Sequence, residues 1–121
     1  MRKPLVAGNW KMNGSSASNK LLLDAILAQR DSFASVDVAL FPPALYIQQV
    51  QSALSGTGMY WGTQNVSQFD SGAYTGEISA AMLHDFSCQY VLIGHSERRC
   101  LYAELNLDQV FYLLRMLFYI S

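Results

Sequence analysis

A chain of 121 residues, of which 51% are hydrophobic and 14% charged, has enough apolar material for one globular domain and too little charge for a disordered one. Eight lysines and arginines stand against nine aspartates and glutamates, and no window holds more cations than the pair Arg98-Arg99, which argues against a nucleic-acid or anionic-membrane surface. Cys88 and Cys100 are too few for a disulfide scaffold and match no metal-ligand spacing, so we expect two reduced thiols and no metal site.

The start of the chain shows no secretory pattern. Met1 to Pro4 lead directly into a short apolar stretch without a small-residue cleavage site, and we therefore expect a cytoplasmic protein. The mean hydropathy of +0.14 is high for a small domain, which must leave much of its surface in water. It predicts that some apolar surface needs a partner.

Strand-like and helix-like segments alternate along the chain, separated by glycine and proline signals. The predicted elements are a buried strand over 5–10, a helix from the N-cap candidates Ser15 to Ser18 up to about Phe33, a buried strand over 36–41, a helix carrying Ile47, Val50 and Leu54, a strand over 59–63, a long loop over 64–78, a helix capped by Ser79 up to about Phe86, a strand over 90–93 and a further helix from about Leu105.

This alternation predicts parallel strands joined by right-handed helical crossovers, and hence an α/β protein. Polar residues gather directly after the strands, at Lys11 and Asn13, at Gln64 and Asn65, and from His95 to Glu97. Both barrels and open sheets of this class place their sites there, so periodicity leaves the two architectures as alternatives.

Two of these groups could carry chemistry. Lys11, at the mouth of a buried strand, suits a phosphate or carboxylate ligand, although lysines are normally just solvated. The run from Gly94 to Arg99 holds an imidazole, a hydroxyl, a carboxylate and two guanidinium groups, which suit proton transfer or oxyanion stabilisation; a structural ion-pair network is the alternative. His84 is interpreted as an ordinary surface or packing histidine. No dinucleotide fingerprint or P-loop is present, and we expect no cofactor.

Four segments resemble the triosephosphate isomerase family, in the family's order and spacing. They are AGNWKMNG at 7–14, QNVS at 64–67, GAYTGEIS at 72–79 and VLIGHSERR at 91–99. The resemblance covers roughly residues 3–110 and implies a partial (β/α)8 TIM barrel comprising the first four βα units.

The resemblance implies an enzyme that interconverts dihydroxyacetone phosphate and glyceraldehyde 3-phosphate through an enediolate, in glycolysis and gluconeogenesis. His95 and Lys11 would be catalytic, with His95 a neutral imidazole donating to the carbonyl oxygens. Asn9 and Lys11 would bind the substrate. Ser96 would set the surroundings of His95, and Glu97 would be the charge partner of Lys11.

The resemblance also implies a homodimer. Thr75 would cross a two-fold interface to the region of Asn9 and Lys11 in the partner subunit. Glu77 and Arg98 belong to the same implied interface, where they and Glu104 would form supporting ion pairs.

The chain departs from the family in length and in its tail. A complete barrel needs about 250 residues, so we interpret residues 1–110 as the N-terminal half, without the family's glutamate base, mobile lid and glycine-rich phosphate site. Residues 111–121 are apolar on every face from Phe111 to Ile120 and diverge from the family, as an altered reading frame or alternative splicing would produce. With Arg115 inside it, this tail is too short to span a membrane.

Three hypotheses remain from the sequence. The first is an isomerase whose isolated chain is inactive. The second is a non-catalytic truncated product that pairs with full-length subunits through the Thr75 loop. The third is a chain that cannot fold stably on its own.

Overall fold

The computed structural model describes residues 3–102 of the 121-residue chain. The predicted helix from about Leu105, the ion-pair residue Glu104 and the 111–121 tail lie outside the described residues. Within the described part, strands and helices alternate as predicted. The elements are β1 Leu5–Asn9, α1 Ser16–Ala28, a 3-10 helix Arg30–Phe33, β2 Asp37–Phe41, a 3-10 helix Ala44–Tyr46, α2 Ile47–Leu54, β3 Tyr60–Thr63, α3 Ala80–Asp85, β4 Tyr90–Val91 and α4 Ser96–Leu101.

The four strands form one parallel sheet in the order β1-β2-β3-β4. Asn9 is in register with Phe41, and Thr63 with Val91, so the carboxyl ends of all four strands lie at one edge. The sheet is curled into a half-barrel with helices between its strands, which confirms the predicted α/β class and the first βα units of a TIM barrel.

The core lies between the sheet and the helices. Leu40 of β2 and Trp61 of β3 belong to one buried cluster with Leu23 of α1 and with Val50 and Leu54 of α2. The indole N–H of Trp61 donates to the Phe86 carbonyl at 2.7 Å, so the buried polar atom is satisfied. Burial of these side chains fixes which face of each strand points towards the helices.

Helix α1 begins as predicted and ends earlier. Ser15 is its N-cap, and a reciprocal capping box links the Ser15 hydroxyl to the Ser18 N–H and the Ser18 hydroxyl to the Ser15 N–H. The predicted extension to Phe33 is wrong, because α1 ends at Ala28 and a 3-10 helix follows. Between Leu27 and Phe33 the sequence has no large apolar side chain that could hold another α-helical turn against the core.

Three further predictions need correction. The fourth strand ends at Val91 rather than at residue 93, and α4 begins at Ser96, where the sequence indicated no helix before Leu105. The first strand is not buried: Leu5 is 46% and Val6 53% exposed. Within residues 3–102, β1 pairs with β2 alone, so one edge and part of its faces lie open.

Candidate active site

A cavity of about 530 Å³ lies at the carboxyl ends of the strands. Asn9 is the last residue of β1, Gln64 follows β3 directly, and His95 follows β4 after a short loop. Among the charged side chains that line the cavity, two are cationic and one is anionic, so the lining favours a small anion. The cavity is lined by Asn9, Lys11, Met12, Asn13, Gln64, Leu92, His95, Glu97, Arg98, Leu101 and Tyr102.

Lys11 has a backbone conformation that is uncommon for a non-glycine residue. Its φ of 56° lies in the left-handed region, where a side chain costs of order 1–3 kcal/mol unless its surroundings enforce the conformation. The Lys11 N–H donates to Asn9 Oδ1 at 2.9 Å, and the Lys11 carbonyl accepts from Gln64 Nε2 at 2.8 Å. Its ammonium donates to Glu97 Oε1 at 2.7 Å.

His95 is the N-cap of α4. Its Nδ1 accepts the backbone N–H of Glu97 at 3.2 Å. A nitrogen that accepts a hydrogen bond carries no proton, so in the neutral ring the proton sits on Nε2. The imidazole is therefore arranged to donate one hydrogen bond through Nε2.

Glu97 joins the two predicted catalytic residues. One carboxylate oxygen accepts from the Lys11 ammonium, and the other lies 3.6 Å from His95 Nδ1. The hydrogen bond from Lys11 lowers the pKa of the Glu97 carboxyl, against a smaller opposing effect of desolvation. Glu97 therefore stays ionised at neutral pH and is a poor proton acceptor.

The remaining predicted residues divide between the cavity and a separate loop. Arg98 lines the cavity, with its guanidinium carbon 5.4 Å from the centre of the Tyr102 ring. Ser96 is the exposed first residue of α4, next to His95 in sequence. Thr75 and Glu77 lie away from the cavity, exposed in the loop that follows β3.

That loop, residues 64–79, has internal structure. The Ser67 N–H donates to the Ile78 carbonyl at 2.7 Å and closes its base. Further out, the rings of Phe69 and Tyr74 stack at 4.0 Å, although each residue is 42% exposed. Thr75 thus follows a stacked aromatic pair at the surface. The interface role of Thr75 and the ion pairs of Glu77, Arg98 and Glu104 stay predictions.

In the sequence, Gln64 and Asn13 stood out only as polar residues after strands. Gln64 contacts two strand ends, and the Asn13 amide donates to the Trp10 carbonyl at 2.9 Å, which fixes the turn after β1. A local signal was available for Asn13, since asparagine side chains in turns often bond to nearby backbone groups. No local signal pointed to the partners of Gln64, which lie 53 and 23 residues away. Tyr102 gave no such signal, because it reaches the cavity only through the end of α4.

A sequence model described as Triosephosphate isomerase matches residues 4–111 of the chain. The chain belongs to this family. Curated triosephosphate isomerases include one from Dechloromonas aromatica, 57% identical over 104 residues, and one from Thiobacillus denitrificans, 54% identical over 104 residues. A third, from Coxiella burnetii, is 52% identical over 105 residues.

The chain spans only part of these triosephosphate isomerases. The alignments cover 86% of this chain and 41% of the Dechloromonas and Thiobacillus proteins, and 87% of this chain and 41% of the Coxiella protein. The family's fold is therefore represented by its first βα units. Among residues 3–102, no helix combines the length and the apolar composition that a membrane span requires.

Proposed function

We propose that this chain supplies the lysine and histidine part of a triosephosphate isomerase active site. One observation carries the proposal. Lys11 follows β1 and His95 follows β4, the two outer strands of the sheet, yet both side chains line one cavity and both approach Glu97. Residues 1–110 would be the barrel half that carries this site, and residues 111–121 a divergent tail.

The proposed reaction interconverts dihydroxyacetone phosphate and glyceraldehyde 3-phosphate by moving a proton between adjacent carbons. Negative charge develops on the carbonyl oxygen as the enediolate forms, and a positioned donor lowers the energy of that state. His95 is suited to donate from Nε2, because Nδ1 is occupied by the Glu97 N–H. The Lys11 ammonium would offset the charge of the phosphate and the enediolate, with Asn9 beside it.

We propose that the isolated chain lacks a general base. Glu97 is the carboxylate nearest to His95 in the described part, but its hydrogen bond to Lys11 lowers its pKa and weakens it as a base. The family's glutamate base would belong to the part of the relatives' sequence that the alignments with this chain do not cover. A homodimer and a cytoplasmic location are part of the proposal and are carried over from the family.

The first test is a coupled isomerase assay at high protein concentration. We expect no turnover above a buffer control, because loss of a general base alone costs about 10²–10⁴-fold. His95→Ala and His84→Ala serve as matched variants, since His84 is exposed and lies away from the cavity. Turnover that His95→Ala abolishes and His84→Ala preserves would contradict the missing base.

The second test measures substrate binding without turnover. We expect dihydroxyacetone phosphate to shift the backbone NMR resonances around Lys11 and His95, and Lys11→Met to weaken this binding. Lys20→Met is the control, because Lys20 is an exposed lysine on α1, paired with Asp24 at 2.6 Å. Equal binding by the two variants, or shifts confined to other regions, would exclude the proposed phosphate-binding role.

A second candidate function rests on the Thr75 loop. Because this loop is closed at its base and carries a stacked aromatic pair, its shape does not depend on the other half of the barrel, and in this proposal it forms the family's interface. In this alternative the chain is non-catalytic and pairs with a full-length subunit. Native mass spectrometry of a mixture with a full-length subunit should show a heterodimer that Thr75→Arg abolishes and Ser52→Arg, on the exposed face of α2, leaves intact.

A further inference from the structure

Gln64 joins three consecutive strand ends with one side-chain amide. It follows Thr63, the last residue of β3, and its Nε2 donates to the Phe41 carbonyl at the end of β2 at 2.9 Å. The same nitrogen donates to the Lys11 carbonyl beyond the end of β1 at 2.8 Å. Both hydrogens of the amide group are therefore used.

Lys11 needs contacts of this kind. A non-glycine residue at a φ of 56° lies in a costly backbone region and keeps that conformation only where its surroundings enforce it. Asn9 Oδ1 holds the Lys11 N–H, and Gln64 holds the Lys11 carbonyl. Rotation about this backbone would carry the side chain away from Glu97, 2.7 Å from the ammonium.

We infer that Gln64 is a positioning residue for Lys11: its amide clamps the Lys11 carbonyl and thereby holds the ammonium against Glu97 in the cavity. The clamp itself follows from the contacts, whereas its value for isomerisation rests on the proposed function. The chemistry is specific to an amide of this length. Methionine has a similar shape but no donor, an ionised glutamate only accepts, and asparagine is shorter by one methylene.

A merely structural role would tie the strands together without setting the position of Lys11. The two roles differ at Glu97, whose pKa is lowered chiefly by the hydrogen bond from Lys11. Within residues 3–102, the charged and titratable groups that approach this carboxylate are Lys11 from the turn after β1 and His95 from the start of α4. Glu97 is therefore a reporter of where the ammonium lies.

The experiment is a carbon-13 NMR titration of the Glu97 carboxyl in the 121-residue chain, at a concentration where light scattering gives a single species. We expect Gln64→Met to raise the Glu97 pKa towards the ordinary value of a glutamate, because the variant loses the hydrogen bond from Lys11 that chiefly lowers it. Gln49→Met is the matched control. The Gln49 side chain also makes two hydrogen bonds, to Ser16 and Asn19, but lies outside the cavity. This control should leave the Glu97 pKa unchanged.

An unchanged Glu97 pKa in folded Gln64→Met would overturn the clamp. If that variant does not fold, the wild-type chain decides: the Gln64 side-chain amide should exchange with solvent far more slowly than that of exposed Gln48, and equal exchange rates would overturn the inference. Neither measurement uses substrate or turnover. Failure of the clamp therefore leaves the proposed isomerase site standing, and failure of the activity and binding tests leaves the clamp standing.

Discussion

Cys88 and Cys100 place the same thiol in two environments. Cys88 is 4% exposed and belongs to the core cluster, where burial raises the pKa of its thiol to about 11. Cys100 is exposed on α4. Because the thiolate is the reactive form, burial protects Cys88 both by blocking access and by keeping it protonated.

We expect iodoacetamide at pH 8 to alkylate Cys100 at least about 100-fold faster than Cys88. With a pKa of about 11, roughly one Cys88 thiol in a thousand is ionised at that pH. Peptide mapping by mass spectrometry after timed quenching measures both rates. In urea the two rates should converge; similar rates in the folded chain would show that Cys88 is not buried.

The pair formed by Lys11 and Glu97 predicts a pH dependence. The pKa of Glu97 is lower in the folded chain than in the unfolded chain, so the pair stabilises the fold above the unfolded pKa of about 4.3. That stabilisation disappears as the pH falls through the lower, folded pKa. It is modest, because both side chains are about half exposed.

We therefore expect Glu97→Gln to lower the urea midpoint of unfolding at pH 7, with a difference from wild type that shrinks below about pH 4. Lys11→Met should give the same pH dependence, and the double variant should add little to either. Urea titrations from pH 7 to pH 2 provide the comparison. A difference that stays constant over this range would mean that the ion pair does not stabilise the fold.

At the scale of elements, the pairing of β3 with β4 requires a residue without a side chain at Gly62. Gly62 is in register with Tyr90, and a Cβ on Gly62 would lie 1.9 Å from the Tyr90 carbonyl oxygen. The obstacle is backbone, which cannot rotate aside as a side chain can. At Gly8 of β1 the nearest atom to an added Cβ is instead Leu40 Cδ2 at 3.0 Å, on a flexible side chain.

We expect Gly62→Ala to destabilise the fold by about 3 kcal/mol or more, at the upper end of the range for overpacking, because β4 must separate from β3. Gly8→Ala should cost less than about 1.5 kcal/mol, since Leu40 can change its rotamer. Urea unfolding followed by tryptophan fluorescence reports both. Equal losses would show that the β3–β4 spacing adjusts freely.

At the scale of the whole molecule, the half-barrel leaves its first strand open. Leu5 and Val6 lie on β1, which has one strand partner within residues 3–102, and both are about half exposed. An unpaired strand edge with apolar side chains is a template for pairing with another chain. The positive mean hydropathy of the chain agrees with this exposure.

We expect the 121-residue chain, expressed alone, to associate or aggregate increasingly with concentration. Val6→Lys should reduce association, because a charge on an edge strand opposes strand pairing. Leu21→Lys, on the exposed face of α1, is the control for a general loss of hydrophobicity. Size-exclusion chromatography with light scattering measures the outcome. A monodisperse 13.5 kDa monomer that unfolds cooperatively would contradict the open-edge argument.

Local sequence signals were sufficient for most of the fold. Ser15 and Ser79 cap helices where the sequence placed them, and all four strands occur in the predicted order, because capping and the burial of short apolar runs act between residues near in sequence. The sequence did not predict helix α4, because its segment lacks the usual local signals. Its segment has no apolar stripe, and its start depends on the His95 side chain acting as N-cap.

The sequence by itself determined that polar groups would gather at the carboxyl ends of parallel strands, and family resemblance selected a barrel. The resemblance also implied Glu97 as the charge partner of Lys11, but only the tertiary structure gives the 2.7 Å contact between these residues, 86 apart in sequence, and the position of both beside His95. It also decided that the Gln64 amide reaches two strand ends and that β1 is exposed. Such contacts depend on strand order, register and sheet curvature, which long-range packing sets and local propensity does not encode.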